Sequence, residues 1–141
     1  MADLGVLSAH LLADFQRQLH TRVADAGFDG LRPRHGAVMA YLDLGGTRAS
    51  DLADRSGAHK QVIGTLVDEL ETLGYVARQP DPADRRAKLV VPTDLGRRQI
   101  AAARAFVADI ERSYAERIGA DRFAAFRDVL TALAAPTRPS P

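Results

Sequence analysis

Residues Ser50–Gly57 read SDLADRSG, and residues His59–Glu71 read HKQVIGTLVDELE. The first run predicts a short helix from about Ala49 to Arg55, with Leu52 as its main core contact. Ser56-Gly57 then makes a tight break. The second run predicts a helix from His59 to Leu73. Its apolar residues Ile63, Leu66, Val67, Leu70 and Leu73 fall three or four apart, on one face. Gly74 stands where a helix-ending glycine belongs. After it the apolar period shifts from helical to extended. Tyr75–Arg78 reads as a strand and Lys88–Val91 as its partner, with the turn-rich, charged segment Pro80–Arg86 between them. Two helices joined by a tight turn and followed by a hairpin make a winged helix-turn-helix.

The flanks are helical. Leu4, Leu7, Leu11, Phe15, Leu19 and Val23 predict one helix from about Ala2 to Ala26, ended by Gly27 and Gly30. Pro33 suits the first turn of a second helix, where its missing N–H costs nothing. Val38, Tyr41 and Leu42 mark that helix's buried side, and Gly45-Gly46 closes it. Beyond the hairpin, Thr93 is placed to cap a long helix, with Asp94 favourable in the first turn. Leu95, Ala103, Phe106, Val107, Ile110, Tyr114 and Ile118 carry its stripe, and Gly119 breaks it. Phe123, Phe126, Leu130 and Leu133 define a last helix. The outer helices carry more apolar surface than a small core needs, which predicts that they pack across a dimer. The expected fold class is mainly α with a small β-wing: a winged helix-turn-helix flanked by N- and C-terminal dimerisation helices. Residues 1–30 and 93–135 form the helical dimerisation region, 31–92 the DNA-binding domain and 136–141 a flexible tail.

Composition narrows the function. The 141 residues include no cysteine, which removes disulfides, thiolate metal sites, cysteine nucleophiles and thiol redox switches. No run is apolar over the roughly 18 residues a membrane span needs, and Met1-Ala2-Asp3 lacks the basic start of a secretion signal. The expected location is the cytoplasm, with no membrane partner. A net charge of +1 argues weakly against nucleic acid, but a total hides distribution. From Arg78 to Arg98 the basic residues Arg78, Arg85, Arg86, Lys88, Arg97 and Arg98 face only Asp81, Asp84 and Asp94, a local +3.

The runs quoted above, with Gly74-Tyr75-Val76, the loop DPADRRAKLV at Asp81–Val90 and PTDLGR at Pro92–Arg97, closely resemble the MarR family (multiple antibiotic resistance regulators). The resemblance covers Arg32 to Arg98 by motif and the rest by helix order. It implies a homodimer that binds pseudo-palindromic double-stranded DNA operators, with a ligand relieving binding. It also implies that the wing tip enters the minor groove, with Arg86 as the inserted group and Asp84 orienting a neighbouring arginine.

The residues support that implication chemically. A recognition helix reads bases with its first turns in the major groove. Gln61 suits two-point bonding to adenine and Lys60 a guanine or phosphate. Val62 and Thr65 suit thymine methyls, and His59 stands at the helix start. On the wing, Asp84, Arg85, Arg86 and Lys88 are the candidates, since a narrow minor groove concentrates negative potential and attracts arginine. Arg32, Arg34 and Arg78 are candidates for the DNA backbone. Asp68, Glu69 and Glu71 fall further along the helix, away from DNA.

Two positions depart from the family pattern. Thr65 stands where the resemblance implies an arginine paired to the wing aspartate, so Asp84 either finds another partner, Arg86 or Arg78, or stays solvated. Gly64 replaces a small polar residue, at about 1 kcal/mol of helix propensity against alanine.

Other chemistry has little support. Of the four histidines, His10, His20, His35 and His59, the first two stand ten apart and share neither the i,i+4 pairing nor an adjacent carboxylate that zinc sites favour. No nucleophile–base pair, phosphate loop or carboxylate pair appears. No metal, cofactor or catalytic residue is assigned. The resemblance places a ligand pocket among the first, second and long fifth helices. Phe15, His35, Met39 and Tyr41 are its candidate lining, with Arg17 or His20 meeting a small aromatic or anionic ligand. The expected function is a sequence-specific transcriptional regulator, a repressor released by such a ligand. The alternative is a dimeric ligand- or protein-binding module of the same fold that has lost DNA binding.

Overall fold

The computed structural model describes residues 1–135. The expected flexible tail, 136–141, lies outside the described residues. The chain divides into two compact units, Met1–Phe106 and the residues from Val107 on, with the division inside one helix.

In the first unit, α1 spans Leu4–Asp25, and Asp3 caps it by accepting from the Val6 N–H at 2.9 Å. A 3-10 turn, Pro33–His35, leads into α2, Gly36–Met39. Next come β1, Thr47–Arg48, α3, Ala49–Ser56, and α4, Lys60–Leu73. Gly57 links α3 to α4 with φ +76°, a left-handed conformation that glycine adopts freely. The hairpin follows as β2, Val76–Asp81, and β3, Asp84–Pro92. The three strands form an antiparallel sheet in the order β1-β3-β2. Thr47 lies opposite Val90, and Arg78 lies opposite Val90 from the other side. Helix α5, Asp94–Ile118, begins in this unit.

The core collects Val38, Leu42, Leu52, Ile63, Leu66, Val67, Leu70, Tyr75, Val76 and Val90, together with Val23 of α1 and Ile100 of α5. Flanking helices thus contribute their inner ends to the core of the winged domain. Burying side chains of this size stabilises the fold by about 1.5–3 kcal/mol each. Two contacts fix the hairpin to the helices. The Tyr75 hydroxyl donates to the Asp29 carbonyl at 2.8 Å, and burial pushes its pKa up. Thr93 donates to the Gly74 carbonyl at 2.6 Å and accepts from the Gly96 N–H at 3.1 Å, capping α5. A Cβ on Gly96 would lie 2.0 Å from the Tyr75 carbonyl oxygen, so α5 approaches the hairpin this closely only with glycine there.

The second unit contains the rest of α5 and α6, Ala120–Ala134, joined at Gly119. Phe123 and Phe126 stack in a tilted pair with centroids 6.2 Å apart. Arg127 reaches Glu111 at 3.4 Å. No residue of α6 is buried.

Three expectations change. The second helix does not run on from Pro33: it is a 3-10 turn plus one short turn of α-helix, and the helix ends at Met39. Val38 and Leu42 are buried as expected, but Tyr41 is exposed: past Met39 the helical period no longer sets which side chains face inward, and the chain turns Leu42 in and Tyr41 out. The hairpin strands are longer than read. Most of Pro80–Arg86 is strand, leaving only Pro82 and Ala83 as the turn. Strand β1 had no sequence signal: two residues cannot show a period, and Thr47–Arg48 is extended only because β3 pairs with it.

Candidate nucleic-acid interface

The start of α4 is open. His59 is its N-cap but makes no capping bond through its side chain. The first N–H groups of a helix have no partner within it, and they carry the positive end of the helix dipole. His59, Lys60, Gln61, Val62 and Thr65 are all exposed. Ile63, Leu66, Val67 and Leu70 bury the opposite face. The Thr65 hydroxyl donates to the Gln61 carbonyl at 3.2 Å. A Cβ on Gly64 would meet nothing within 4 Å, so no packing demand explains that glycine.

The wing side chains Asp84, Arg85, Arg86 and Lys88 are likewise exposed. Asp84 accepts from the backbone N–H of Arg86 at 3.0 Å. Its hydrogen-bond partner is thus the Arg86 backbone rather than an arginine side chain. The exposed Arg86 guanidinium has no ion-pair partner among the described residues.

The hairpin is held at both ends by arginines that do not belong to that exposed set. At its base, Arg78 of β2 pairs with Glu71 and with Asp68 at 2.7 Å, and reaches the Gly64 carbonyl at 3.3 Å. These contacts tie β2 to α4 and occupy two of the three carboxylates expected to face away from DNA. Near the tip, Arg48 of β1 donates to Asp81 from Nε at 2.8 Å, and its Nη2 forms an ion pair with the same oxygen at 2.7 Å. The Ala83 N–H donates to the same carboxylate at 2.9 Å. The Ala83 bond first, and Arg48 second, hold the Asp81 carboxyl below the usual range. The Arg48 guanidinium is raised in turn by its bond to Asp81.

A third tie joins α4 to the segment before α2. Arg34 donates twice to Glu69, both at 3.2 Å. Buried His35 accepts the Arg32 N–H on Nδ1 at 2.8 Å, so its Nε2 carries the proton donated to Glu69 at 2.7 Å. The His35 bond, then Arg34, lower the Glu69 pKa. An open cleft of about 340 Å³ borders this tie, lined by Gly30, Arg32, Arg34, His35, Glu69, Thr72 and Leu73.

The expected site residues therefore separate. The recognition-helix set and the wing set are exposed, and none of their cationic groups is held in an ion pair among the described residues. Of the three expected backbone contacts, Arg34 and Arg78 are engaged by carboxylates, and Arg32 is in no ion pair among the described residues. The cleft lies apart from most of the expected ligand-pocket residues. Only His35 of its four residues lines it, while Met39 is buried in the core, Phe15 is half-buried on α1 and Tyr41 is exposed. The early end of α2 is the cause for Tyr41. Arg17 pairs with Asp14 at 2.9 Å, and His20 is half-buried. Sequence reasoning missed Arg48 and Asp81, whose pairing bridges 33 positions and leaves no local pattern. Among the described residues no group of three or more His, Asp or Glu side chains is placed to hold a metal, and no helix is long and apolar enough to cross a membrane.

Residues 29–87 match the sequence pattern of the MarR family. The structure is similar to that of CouR from Rhodococcus jostii RHA1 bound to p-coumaroyl-CoA. The identity is 31%, with 98% of this chain and 96% of that chain covered and a TM-score of 0.78. It is similar to a MarR family transcriptional regulator from Rhodococcus sp. RHA1 at 31% identity, covering 97% and 96% of the two chains with a TM-score of 0.77. The transcriptional repressor CouR bound to a 23-mer DNA duplex matches at 27% identity, over 94% of this chain and 92% of that one, with a TM-score of 0.77. An uncharacterised HTH-type transcriptional regulator of Bacillus subtilis (strain 168), YcgE, is 38% identical over 58 residues, 41% of this chain. The match spans only 38% of that relative's length.

Proposed function

The chain belongs to the MarR family of DNA-binding, ligand-responsive transcriptional regulators, and from that premise we propose that it is a homodimeric, cytoplasmic repressor. Each protomer places His59, Lys60, Gln61, Val62 and Thr65 in a major groove and Asp84, Arg85, Arg86 and Lys88 at the flanking minor groove. Arg32 supplies a further phosphate contact. Two-fold symmetry makes the operator pseudo-palindromic. The exposed apolar faces of α1 (Leu4, Leu7, Leu11) and α6 (Val129, Leu130, Leu133) are assigned to the dimer. The proposal gives the protein no catalytic step.

One observation carries the DNA reading. Arg34, Arg48 and Arg78 are paired with carboxylates, while Lys60, Arg85, Arg86 and Lys88 project from the adjoining elements with no carboxylate partner among the described residues. Free cations on a helix start and a hairpin tip are what a phosphate backbone and a narrow groove attract. The similar protein CouR has been seen with p-coumaroyl-CoA and with duplex DNA. That supports an aromatic, anionic ligand of the acyl-CoA kind for this chain.

The test is a salt-dependent gel-shift titration with a duplex from upstream of the protein's own coding region. Arg86→Ala is expected to weaken binding by about 1–3 kcal/mol while the dimer stays folded. Equal affinity for variant and wild type would remove the wing assignment. Gln61→Ala is expected to relax base preference more than it lowers non-specific binding, measured on operator variants.

A further inference from the structure

We propose that Arg48 is a positioning residue for the wing: through Asp81 it fixes the turn that presents Arg85 and Arg86. The proposal rests on the reading that the wing meets DNA.

Asp81 ends β2 at an irregularity in the pairing, where Pro80 faces Lys88 but Asp81 faces Asp84. It is only 7% exposed, and aspartates are almost never this buried unless paired. Both oxygens are used. Oδ1 holds the Ala83 N–H of the turn, and Oδ2 holds Nε and Nη2 of Arg48. One carboxylate therefore clamps the turn on one side and a guanidinium on the other. Arg48 is itself anchored, since β1 pairs with β3 and places Arg48 opposite Leu89. The anchored strand thus reaches the tip of the hairpin through a single side chain.

Arg85 and Arg86 follow this turn directly, so the path of their backbone is set where Asp81 and Ala83 are held. Removing Arg48 leaves a buried carboxylate without its cation. Such a carboxylate either takes up a proton or turns out to water, and either change loosens the Ala83 bond. The hairpin keeps its base, because Arg78 still binds Glu71 and Asp68. The predicted defect is a mobile tip on an intact domain.

The Arg48 side chain is 40% exposed, so the rival account is that it touches a phosphate itself. Coupling separates the two. The affinity of the wild type, Arg48→Ala, Arg86→Ala and the double variant is measured on the upstream duplex at one salt concentration. If Arg48 acts through the wing, Arg48→Ala weakens binding several-fold in the wild type. In the Arg86→Ala background it costs no more than about twofold, the scatter of independent sites. Equal losses in both backgrounds overturn the proposal, and so does an unchanged affinity for Arg48→Ala alone.

Hydrogen exchange on the free dimer gives a readout that needs no DNA. Arg48→Ala and Asp81→Asn should each speed exchange of the Ala83 and Arg86 amides while α4 amides stay protected. Arg48→Lys, which keeps the charge, should restore part of that protection. Unchanged exchange at the tip overturns the positioning role. An Arg86→Ala variant that binds like wild type, with exchange at the tip still faster in Arg48→Ala, overturns the DNA reading of the wing and leaves the clamp standing.

Discussion

Helices α4 and α6 are nearly equal in length, 14 and 15 residues, and each carries apolar residues at helical spacing. Yet α4 buries Ile63, Leu66, Val67 and Leu70, while α6 buries nothing and exposes Phe126, Val129, Leu130 and Leu133. An apolar stripe states that a face must be covered, not what covers it. The chain covers α4 with its own α3, β2 and α2, leaving a mainly polar face, with Val62 exposed on it, for a partner. The large apolar patch on α6 is the kind of surface that marks an interface, and a second copy of the chain is the occupant proposed above.

That contrast breaks most readily at its centre. Ile63→Ala should lower the unfolding free energy by about 2–5 kcal/mol, since Ile63 is fully buried and its loss leaves a cavity. Urea titration checks this. The paired change on α6, Leu130→Glu with Leu133→Glu, should leave the far-ultraviolet circular dichroism intact but shift the protein from dimer to monomer in sedimentation. Both residues are already exposed in a single chain, so a fall in helix content would show that α6 is held by its own chain after all. The two outcomes together distinguish a face covered from within from one covered by a partner.

A smaller effect sharpens the same contrast from the polar side. The Glu69 and Asp81 carboxyls are held below their ordinary pKa, by His35 and Ala83 respectively as the leading partners. A lowered folded pKa means that the stabilisation is complete above the unfolded carboxylate value and lost as pH falls through the folded one. The urea midpoint of the first unit should therefore drop on acidification below about pH 4, with a shallower drop in Asp81→Asn. An equal acid dependence in wild type and variant would show that this ion pair contributes nothing to the fold.

Legibility in the sequence followed the range of the interactions. The four- and three-residue steps of Ile63, Val67 and Leu70, the glycine after Leu73 and the capping Thr93 report on their own neighbourhoods, and each element appears where its residues place it. The second helix failed because Val38, Tyr41 and Leu42 suit a helical face by spacing, while the backbone leaves the helix at Met39. Strand β1 failed because it is made by its partner. The site was legible as a set of exposed residue types but not as a set of free ones. Arg34, Arg78 and Arg86 look alike in sequence, and only the fold shows that two of them are already spoken for.

By itself the sequence determined the order of helices, the hairpin after Gly74, the resemblance carried by Asp81–Val90 and the open start of α4. These are local properties, set by side-chain period, by turn chemistry and by the four N–H groups that any helix leaves unbonded. The tertiary structure alone decided which cations remain available. Arg34 finds Glu69 across 35 positions and Arg48 finds Asp81 across 33. An ion pair depends on distance in space and on the water excluded around it, and neither is written in a neighbourhood of the chain.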